Sequence, residues 1–403
     1  MMDKNPSPIF ILSCERSGST MLRYIVDTHS KIASPSHLYL GSLLENLNRM
    51  VFGTIAQIHF GLDEEAQKQF AVTETRNMVD NIMSRYTEAK GKQFWCEKTP
   101  MNLDYLSILD SHFPDAKYIC LYRHCMDVVH SSINLSKYRF LPEHVPFVHK
   151  NPGNIIAAMT ENWLEKTARL LAFEAAHSKC CFRVTYESIV MQSEETLRPL
   201  FEFLEVDWED GLVERVFQSK HDVGEGDGKA ALSSTIRQNA VGKGLEVPRS
   251  GIPNQFLKEI DNLLNELGYD SLDAYYSNST QIVPHKFEAD RTDVDAITDL
   301  FENRFQNVID MNRALYPMLD GMWKIMIDGR TDKTWCIDFS NQKGVIKRDD
   351  LLADFKLSLS GALLMDMVNG RRDAIEAFIR GEIQTDGIND ETQLISFGRL
   401  LFS

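Results

Sequence analysis

Residues 9–22 read IFILSCERSGSTML, which describes an apolar strand, a short polar turn with one glycine, and the start of an apolar helix. In such a turn several backbone N–H groups point at one anion, and the dipole of the following helix adds about 0.3–1 kcal/mol. The residues of the turn that can hold an anion are Arg16, Ser17, Gly18, Ser19 and Thr20. The guanidinium and the hydroxyl groups can add charge-assisted hydrogen bonds of about 1.5–3 kcal/mol each. The stretch predicts a phosphate or sulfate site; the alternative is that the Ser and Thr only cap the helix.

The turn does not match a Walker A loop. That loop requires a Gly-Lys pair followed by Ser or Thr, whereas this chain has Ser-Gly-Ser-Thr after Arg16. The pattern therefore disfavours a nucleoside triphosphate hydrolase. A nucleotide kinase stays as an alternative interpretation, which the missing Gly-Lys pair also disfavours.

A second anion motif follows another apolar strand, at residues 118–122. Arg123 comes directly after that strand, and Ser131 lies eight positions later in a segment, 127–134, that we expect to be helical. A helix there turns Ser131 towards the guanidinium, so that both can bind one phosphate. The alternative is an ordinary junction of strand and helix with a surface arginine. Both motifs occur in order, each after an apolar strand, and their combination favours a nucleotide site.

The two motifs resemble those of the sulfotransferases that use 3′-phosphoadenosine 5′-phosphosulfate (PAPS). The resemblance extends over residues 8–270. It implies that Arg16 and the turn hold the 5′-phosphosulfate, that Arg123 and Ser131 hold the 3′-phosphate, and that PAPS is the co-substrate. No metal is expected, because a sulfuryl group in transfer carries less negative charge than a phosphoryl group. Glu15 stands where the family usually has proline, so either Glu15 turns outward or the cofactor binds in an adjusted pose.

Two further segments resemble cofactor-binding parts of the same family. Tyr186, in the segment VTYESIV, resembles a family tyrosine that lies near the adenine of the cofactor. The alternative interpretation is that Tyr186 is only a packed residue of a strand. Lys243 and Gly244 resemble a late glycine-rich basic loop around the 3′-phosphate, and the alternative is a solvated turn.

The chemistry also requires a base, because acceptor hydroxyl groups have pKa values well above 7. Glu97, in WCEKTP, is the first candidate, since a strand opens into a loop there, where parallel sheets bind ligands. Several sulfotransferases have a similar acidic-Lys-Ser/Thr segment with the acidic residue as base, and Lys98 would then steady the transferring group. His37 is the competing base, because its segment should return to the same end of the sheet. The structural alternative for Glu97 is a salt bridge to Lys98 or a helix cap.

From Pro8 to about Tyr276 short apolar runs alternate with helical stretches, which predicts an α/β domain with a P-loop-like parallel sheet flanked by helices. The expected strands are 9–13, 94–96, 118–122 and 182–185. Helices are expected at 19–27, 155–176 and 255–267, the last ending at Gly268.

The expected domains are a sulfotransferase domain at 1–276, a polar linker at 277–290 and a smaller α+β domain at 291–403. In the last domain we expect helices at 294–312, 362–368 and 372–380, and an antiparallel sheet with strands at 335–339 and 355–359. The domain resembles the sterol carrier protein type 2 family, mainly through Gly370, Phe378 and Gly381, with Glu382 where the family has lysine. The resemblance implies a lipid-sized apolar tunnel; the alternative is a domain that only packs or self-associates.

Composition limits the partners. A net charge of −15 argues against a general binder of nucleic acid or of anionic membranes. The seven cysteines form no CxxC pair and no metal-ligand cluster, which favours a reducing compartment. The apolar run at residues 9–12 is too short for a signal peptide, and no later segment has the length of a membrane span. A cytoplasmic protein is expected.

Together these observations predict a PAPS-dependent sulfotransferase that acts on a hydroxyl group of an apolar acceptor. The acceptors considered are an acyl group on a carrier protein, a free hydroxylated lipid and a sterol. The alternative from a different class is a lipid-binding or carrier protein whose sulfotransferase-like domain is inactive.

Overall fold

The computed structural model describes residues 7–136, 141–222, 236, 240–277, 294–311, 313–368, 372, 374–379, 381–387, 393, 396–398 and 400. The described residues up to Ser277 form one compact unit, and those from Val294 onward form a second. The linker expected at 277–290 falls, except for Ser277, outside the described residues. The boundaries 1–276 and 291–403 therefore stay predictions.

The first unit is built on a parallel sheet of five strands in the order β2-β3-β1-β4-β5. The strands are β1 (Ile9–Ser13), β2 (Ile32–Ala33), β3 (Phe94–Glu97), β4 (Lys117–Tyr122) and β5 (Cys181–Thr185). Every pairing in this sheet is parallel. The four strands expected from the sequence are confirmed, and so is the α/β class; the two-residue β2 is too short to give a pattern.

The strand β1 is apolar because it lies at the centre of the sheet, where every one of its residues is buried. Phe10 packs edge-on against Trp95 of β3 at 5.7 Å and stacks on Tyr118 of β4 at 5.6 Å. Because the strands are parallel, the segments that follow β1, β3, β4 and β5 all emerge at one edge of the sheet. The turn with Arg16 follows β1, Glu97 ends β3, Arg123 follows β4 and Tyr186 follows β5, whereas Lys243 and Gly244 lie in a later loop.

Helices cover both faces of the sheet, as parallel pairing requires. They are Ser19–Thr28, Leu40–Val51, Gln57–Phe60, Glu64–Lys90, Leu106–His112, Cys125–Ser136, Val145–Lys150, Ile155–Ala176, Tyr186–Met191, Ser193–Phe203, Leu212–Arg215, Asn254–Glu266 and Leu272–Ser277. The three helices expected from periodicity are confirmed, and Gly268 follows the third with φ 79°.

Periodicity in the sequence does not identify the long helix Glu64–Lys90. Its buried residues are four apart and half of them are polar: Gln67, Ala71, Thr75, Val79, Met83 and Thr87. These buried residues have helical spacing, but because half of them are polar, no continuous apolar stripe marks the helix in the sequence.

The second unit is a smaller α+β fold, as expected, on a sheet of five strands in the order β10-β9-β6-β7-β8. The strands are β6 (Met322–Ile327), β7 (Thr334–Asp338), β8 (Val345–Lys347), β9 (Phe355–Leu359) and β10 (Gln384–Asp386). The expectation of a purely antiparallel sheet is wrong, because β6 and β9 are parallel. In the chain, β7 and β8 lie between β6 and β9. In the sheet, β7 pairs with the edge of β6 opposite to the one that pairs with β9.

Helices of the second unit are Val294–Asp299, Phe305–Met311, Tyr316–Leu319, Gly361–Val368 and Ala374–Ile379. The first two are joined by a π-helical turn, Leu300–Arg304, and together replace the one helix expected at 294–312. The apolar core of this unit includes Trp323 and Trp335, both almost fully buried. Gly370, on which part of the resemblance rests, lies outside the described residues. No described helix has the length and apolar character needed to cross a membrane.

Candidate active site

The turn after β1 is shaped by two residues with left-handed backbone conformation. Arg16 has φ 65° and Gly18 has φ 92°. In a turn with such conformations successive N–H groups can point to one side, the geometry of anion-binding concavities, and here the turn leads into the helix Ser19–Thr28. Ser17, Ser19 and Thr20 are all buried here.

Gly18 lies directly against the ring of Tyr186, the first residue of the helix after β5. A Cβ atom at this position would lie 2.4 Å from Cδ2 of Tyr186. The tyrosine is 6% exposed and packs on the turn. It is thus a packed residue at a helix start, not a continuation of β5.

Substituting Gly18 with alanine is expected to lower the free energy of unfolding by about 2–5 kcal/mol. The left-handed conformation costs about 1–2 kcal/mol for a residue with a Cβ atom, and overpacking against Tyr186 adds about 1–3 kcal/mol. Gly91→Ala is the matched control, because Gly91 has φ 66° and no atom within 4 Å of the added Cβ. Urea denaturation of both variants measures the difference. Equal losses would contradict the contact with Tyr186.

The two anion motifs meet at Arg16. Its Nε donates to Oγ of Ser131 at 3.2 Å, and its carbonyl oxygen accepts a hydrogen bond from Nη1 of Arg123 at 3.0 Å. Nη2 of Arg123 donates to the carbonyl oxygen of Ala240 at 2.6 Å. The hydroxyl group of Ser131 therefore lies beside the side chain of Arg16, and the side chain of Arg123 contacts the backbone of the same turn.

Arg123 is held in place by its neighbours, and its bonds to two carbonyl oxygens use only two of the five N–H donors of its guanidinium. Its guanidinium lies 4.3 Å from the ring centroid of Tyr186, and its carbonyl oxygen accepts from Nε1 of Trp163 at 3.2 Å. The side chain is 6% exposed, and within the described part of the chain its buried Nε has no hydrogen-bond partner. A buried guanidinium with an unused N–H fits an anion at this position.

The loop with Lys243 and Gly244 packs on the helix Cys125–Ser136. The N–H groups of Gly242 and Gly244 donate to the two carboxylate oxygens of Asp127 at 2.9 and 2.6 Å. Lys243 forms an ion pair with Glu246 at 3.0 Å. Ala240, which binds Arg123, belongs to the same loop. The loop thus adjoins the second anion motif.

Glu97 is fully buried, with 0% exposure, at the end of β3. Its Oε1 accepts from the N–H of Leu38 at 3.3 Å and from Oγ1 of Thr99, and its Oε2 accepts from Nδ2 of Asn102. Burial raises the pKa of Glu97 above its ordinary value. Each carboxylate oxygen offers two lone pairs, so these contacts leave one on Oε2.

Lys98 bridges the turn after β1 and His37. Its ammonium group donates to Oγ1 of Thr20 at 3.2 Å and to Nε2 of His37. Burial and the charges of Lys98 and Arg23 lower the pKa of His37 to about 2. A neutral imidazole has one lone pair for hydrogen bonding, and here Lys98 occupies it.

Glu15 does not turn outward. It is 2% exposed, and its Oε2 accepts a hydrogen bond at 3.1 Å from Nδ2 of Asn162 on the helix Ile155–Ala176. The replacement of the family's proline therefore places a carboxyl group inside the protein.

Several residues of this region have no signal in the sequence. Asn162 lies within a long helix, and the helical pattern does not distinguish it from its neighbours. The contact of Asp127 with a loop 115 positions later is visible only in the structure. Asn102 has a weak signal, because it lies two positions after the Glu-Lys-Thr-Pro segment. In the described part of the chain, no three His, Cys, Asp or Glu side chains are grouped as for a metal ion.

Two curated proteins are similar in sequence to part of this chain. Nodulation protein NoeE of Sinorhizobium fredii is 29% identical over 154 residues, which cover 36% of this chain and 36% of that protein. Protein-tyrosine sulfotransferase 1 of Danio rerio is 24% identical over 218 residues, covering 52% of this chain and 56% of that protein. The matches thus span about half or less of these curated relatives.

Among solved structures, the sulfotransferase domain from the curacin biosynthetic pathway covers 66% of this chain and 99% of its own length at 22% identity, with a TM-score of 0.48. The model of the SCP-2 sterol transfer family matches residues 313–394. The model of the sulfotransferase family matches residues 8–210, half of the chain. The chain therefore belongs to the sulfotransferase family and carries, after that region, a segment of the SCP-2 sterol transfer family.

Proposed function

We propose that this protein transfers the sulfuryl group of PAPS to a hydroxyl group of an apolar acceptor. The observation that carries the proposal is the junction of the two anion motifs at Arg16. One nucleotide with a phosphosulfate and a 3′-phosphate needs two cationic sites at one edge of the sheet. The contacts from Arg16 to Ser131 and from Arg123 to Arg16 meet that requirement.

In this proposal the turn after β1 holds the 5′-phosphosulfate through its backbone N–H groups, Arg16 and the hydroxyl groups of Ser17, Ser19 and Thr20. Arg123 and Ser131 hold the 3′-phosphate, with Lys243 and Gly244 in the adjoining loop. Tyr186 keeps Arg123 and Gly18 in place by packing against both. Bound PAPS supplies the sulfuryl group and an activated sulfur–oxygen bond.

Glu97 is the proposed base. Its remaining lone pair on Oε2 can accept a proton, whereas the lone pair of His37 is engaged by Lys98. The raised pKa of Glu97 makes the carboxylate a stronger base than an ordinary glutamate. His37 then serves to position Lys98, whose ammonium group reaches the turn at Thr20 and steadies the transferring group.

The proposed step balances without a metal ion or a redox partner. The acceptor oxygen forms a bond to sulfur while the bond between sulfur and the 5′-phosphate oxygen breaks. The hydroxyl proton passes to Glu97, and 3′-phosphoadenosine 5′-phosphate (PAP) leaves. Arg16 and Lys98 stabilise the negative charge that develops on the leaving oxygen.

The decisive experiment uses the full chain, PAPS labelled with ³⁵S, and two alcohols, 1-propanol and 1-dodecanol. Label transfer to dodecanol, with less transfer to propanol, is the expected result. Binding of PAP measured by calorimetry without any transfer would favour a carrier protein with an inactive transferase domain. Preference for ATP with magnesium would favour the kinase interpretation.

A further inference from the structure

A second group of buried polar side chains lies next to the turn after β1. Its members are Glu15, Glu143, His144 and Asn162, here called the inner polar cluster. They come from the turn after β1, the 3₁₀ turn Pro142–His144 and the helix Ile155–Ala176. Three of them are almost fully buried: Glu15 is 2% exposed, His144 1% and Asn162 1%. None has a role in the proposed transfer so far.

The cluster contains five buried atoms without a hydrogen-bond partner among the described residues. These atoms are Oε1 of Glu15, Oε2 of Glu143, Oδ1 of Asn162, and Nδ1 and Nε2 of His144. The amide of Asn162 has a defined orientation, because its Nδ2 donates to Glu15 and its oxygen must face the other way. Unpartnered buried polar atoms are rare in folded proteins, so these five atoms call for hydrogen-bond partners from outside the described chain.

The cluster is short of donors. Three of its unpartnered atoms are carboxyl or amide oxygens, while a neutral imidazole offers one N–H and one lone pair. Burial, and then the charges of Arg16 and Lys166, lower the pKa of His144 to about 4, so its ring is neutral at physiological pH. Burial, with a contribution from the charge of Glu15, raises the pKa of Glu143. Whatever occupies the cluster must therefore bring hydrogen-bond donors.

The cluster adjoins the proposed sulfuryl site and is linked through Lys166 to the segment that follows the proposed base. Glu15 directly precedes Arg16, and the charge of Arg16 contributes to the lowered pKa of His144. The charge of Lys166 acts to lower the pKa of both Glu143 and His144. The ammonium group of Lys166 binds Asp104 at 2.7 Å. Asp104 ends the 3₁₀ turn Pro100–Asp104, whose Asn102 binds Glu97.

On the basis of the proposed function, we infer that the inner polar cluster binds the acceptor and selects one that carries a second hydrogen-bond donor beside the hydroxyl group to be sulfated. A vicinal diol or a hydroxy-amide has this chemistry. The reacting hydroxyl group lies towards Arg16, and the hydrogen of the second donor is shared between Oε1 of Glu15 and Oδ1 of Asn162. A simple alcohol leaves both oxygens without a donor when it displaces water, which weakens its binding.

The test compares 1-octanol with 1,2-octanediol as acceptors of ³⁵S from labelled PAPS, with calorimetric binding of PAP measured separately. We expect kcat/KM for the diol to exceed that for the alcohol at least about tenfold, the ratio that one unpaired buried acceptor produces. Equal values for the two acceptors overturn the inference. Failure to sulfate either acceptor, with or without binding of PAP, overturns the proposed function itself and is thereby distinct from equal sulfation of both acceptors, which overturns only the inference.

Two variants locate the selection in the cluster. Asn162→Leu removes an acceptor at similar volume, and Glu15→Gln keeps the oxygen that faces Asn162 while supplying an N–H in place of Oε1. Both should bring the diol-to-alcohol ratio to within about threefold of unity and leave PAP affinity unchanged. Asn46→Leu, at an exposed site on the helix Leu40–Val51, is the matched control and should keep the ratio of the unmodified protein. An unchanged ratio in folded Glu15→Gln contradicts the assignment, even if Asn162→Leu does not fold.

Discussion

Replacing Arg123 by methionine is expected to weaken PAP binding by about 10²–10⁴. Each charge-assisted hydrogen bond from the guanidinium to a phosphate contributes about 1.5–3 kcal/mol, and a 3′-phosphate can take two. The variant also leaves the carbonyl oxygens of Arg16 and Ala240 without their donors, which loosens the turn after β1. Calorimetric titration with PAP measures the loss.

Two controls separate binding from folding. Arg198→Met makes the same change at an exposed arginine paired with Glu194 at 3.1 Å, and it should leave PAP affinity unaltered. Arg123→Lys keeps the charge but not the planar fork of donors, so an intermediate loss is expected. Thermal melting checks that each variant is folded. A folded Arg123→Met protein with full PAP affinity would exclude Arg123 from the 3′-phosphate site.

Glu97→Gln is expected to reduce kcat by about 10²–10⁴, the usual contribution of a general base. The amide cannot take the acceptor's proton, because its nitrogen has no available lone pair. PAP affinity should stay within about twofold of the original, since Glu97 is not among the residues proposed to hold the nucleotide. Single-turnover transfer of ³⁵S measures kcat, and calorimetry measures the affinity.

The pH dependence provides a second readout for Glu97. Because burial raises its pKa, the rate should fall on the acid side at a higher pH than an ordinary glutamate would produce. His37→Phe is the comparison variant: it removes the contact to Lys98 and should lower kcat without shifting that acid limb. Near-normal turnover of Glu97→Gln, together with loss in His37→Phe, would transfer the role of base to His37.

Much of the first unit can be predicted from local sequence. Four consecutive apolar residues, 9–12, before a turn with one glycine identify β1 and the turn proposed to bind the anion, because a central parallel strand is buried on both faces. The same reasoning places Arg123 at the end of β4 and Glu97 at the end of β3. The helix Glu64–Lys90 escapes it, because Gln67, Thr75 and Thr87 occupy buried positions that an apolar pattern would mark.

The sequence alone thus establishes which side chains lie at the ends of parallel strands, since strand polarity and apolar runs are local properties. It does not establish how they are used. Arg16 meets Ser131 across 115 positions, and Glu15 turns inward to Asn162 across 147. Glu97 has two local donors, Thr99 and Asn102, but its third, the N–H of Leu38, comes from 59 positions away. Such contacts depend on strand order and on helix packing, which bring together residues that share no local pattern.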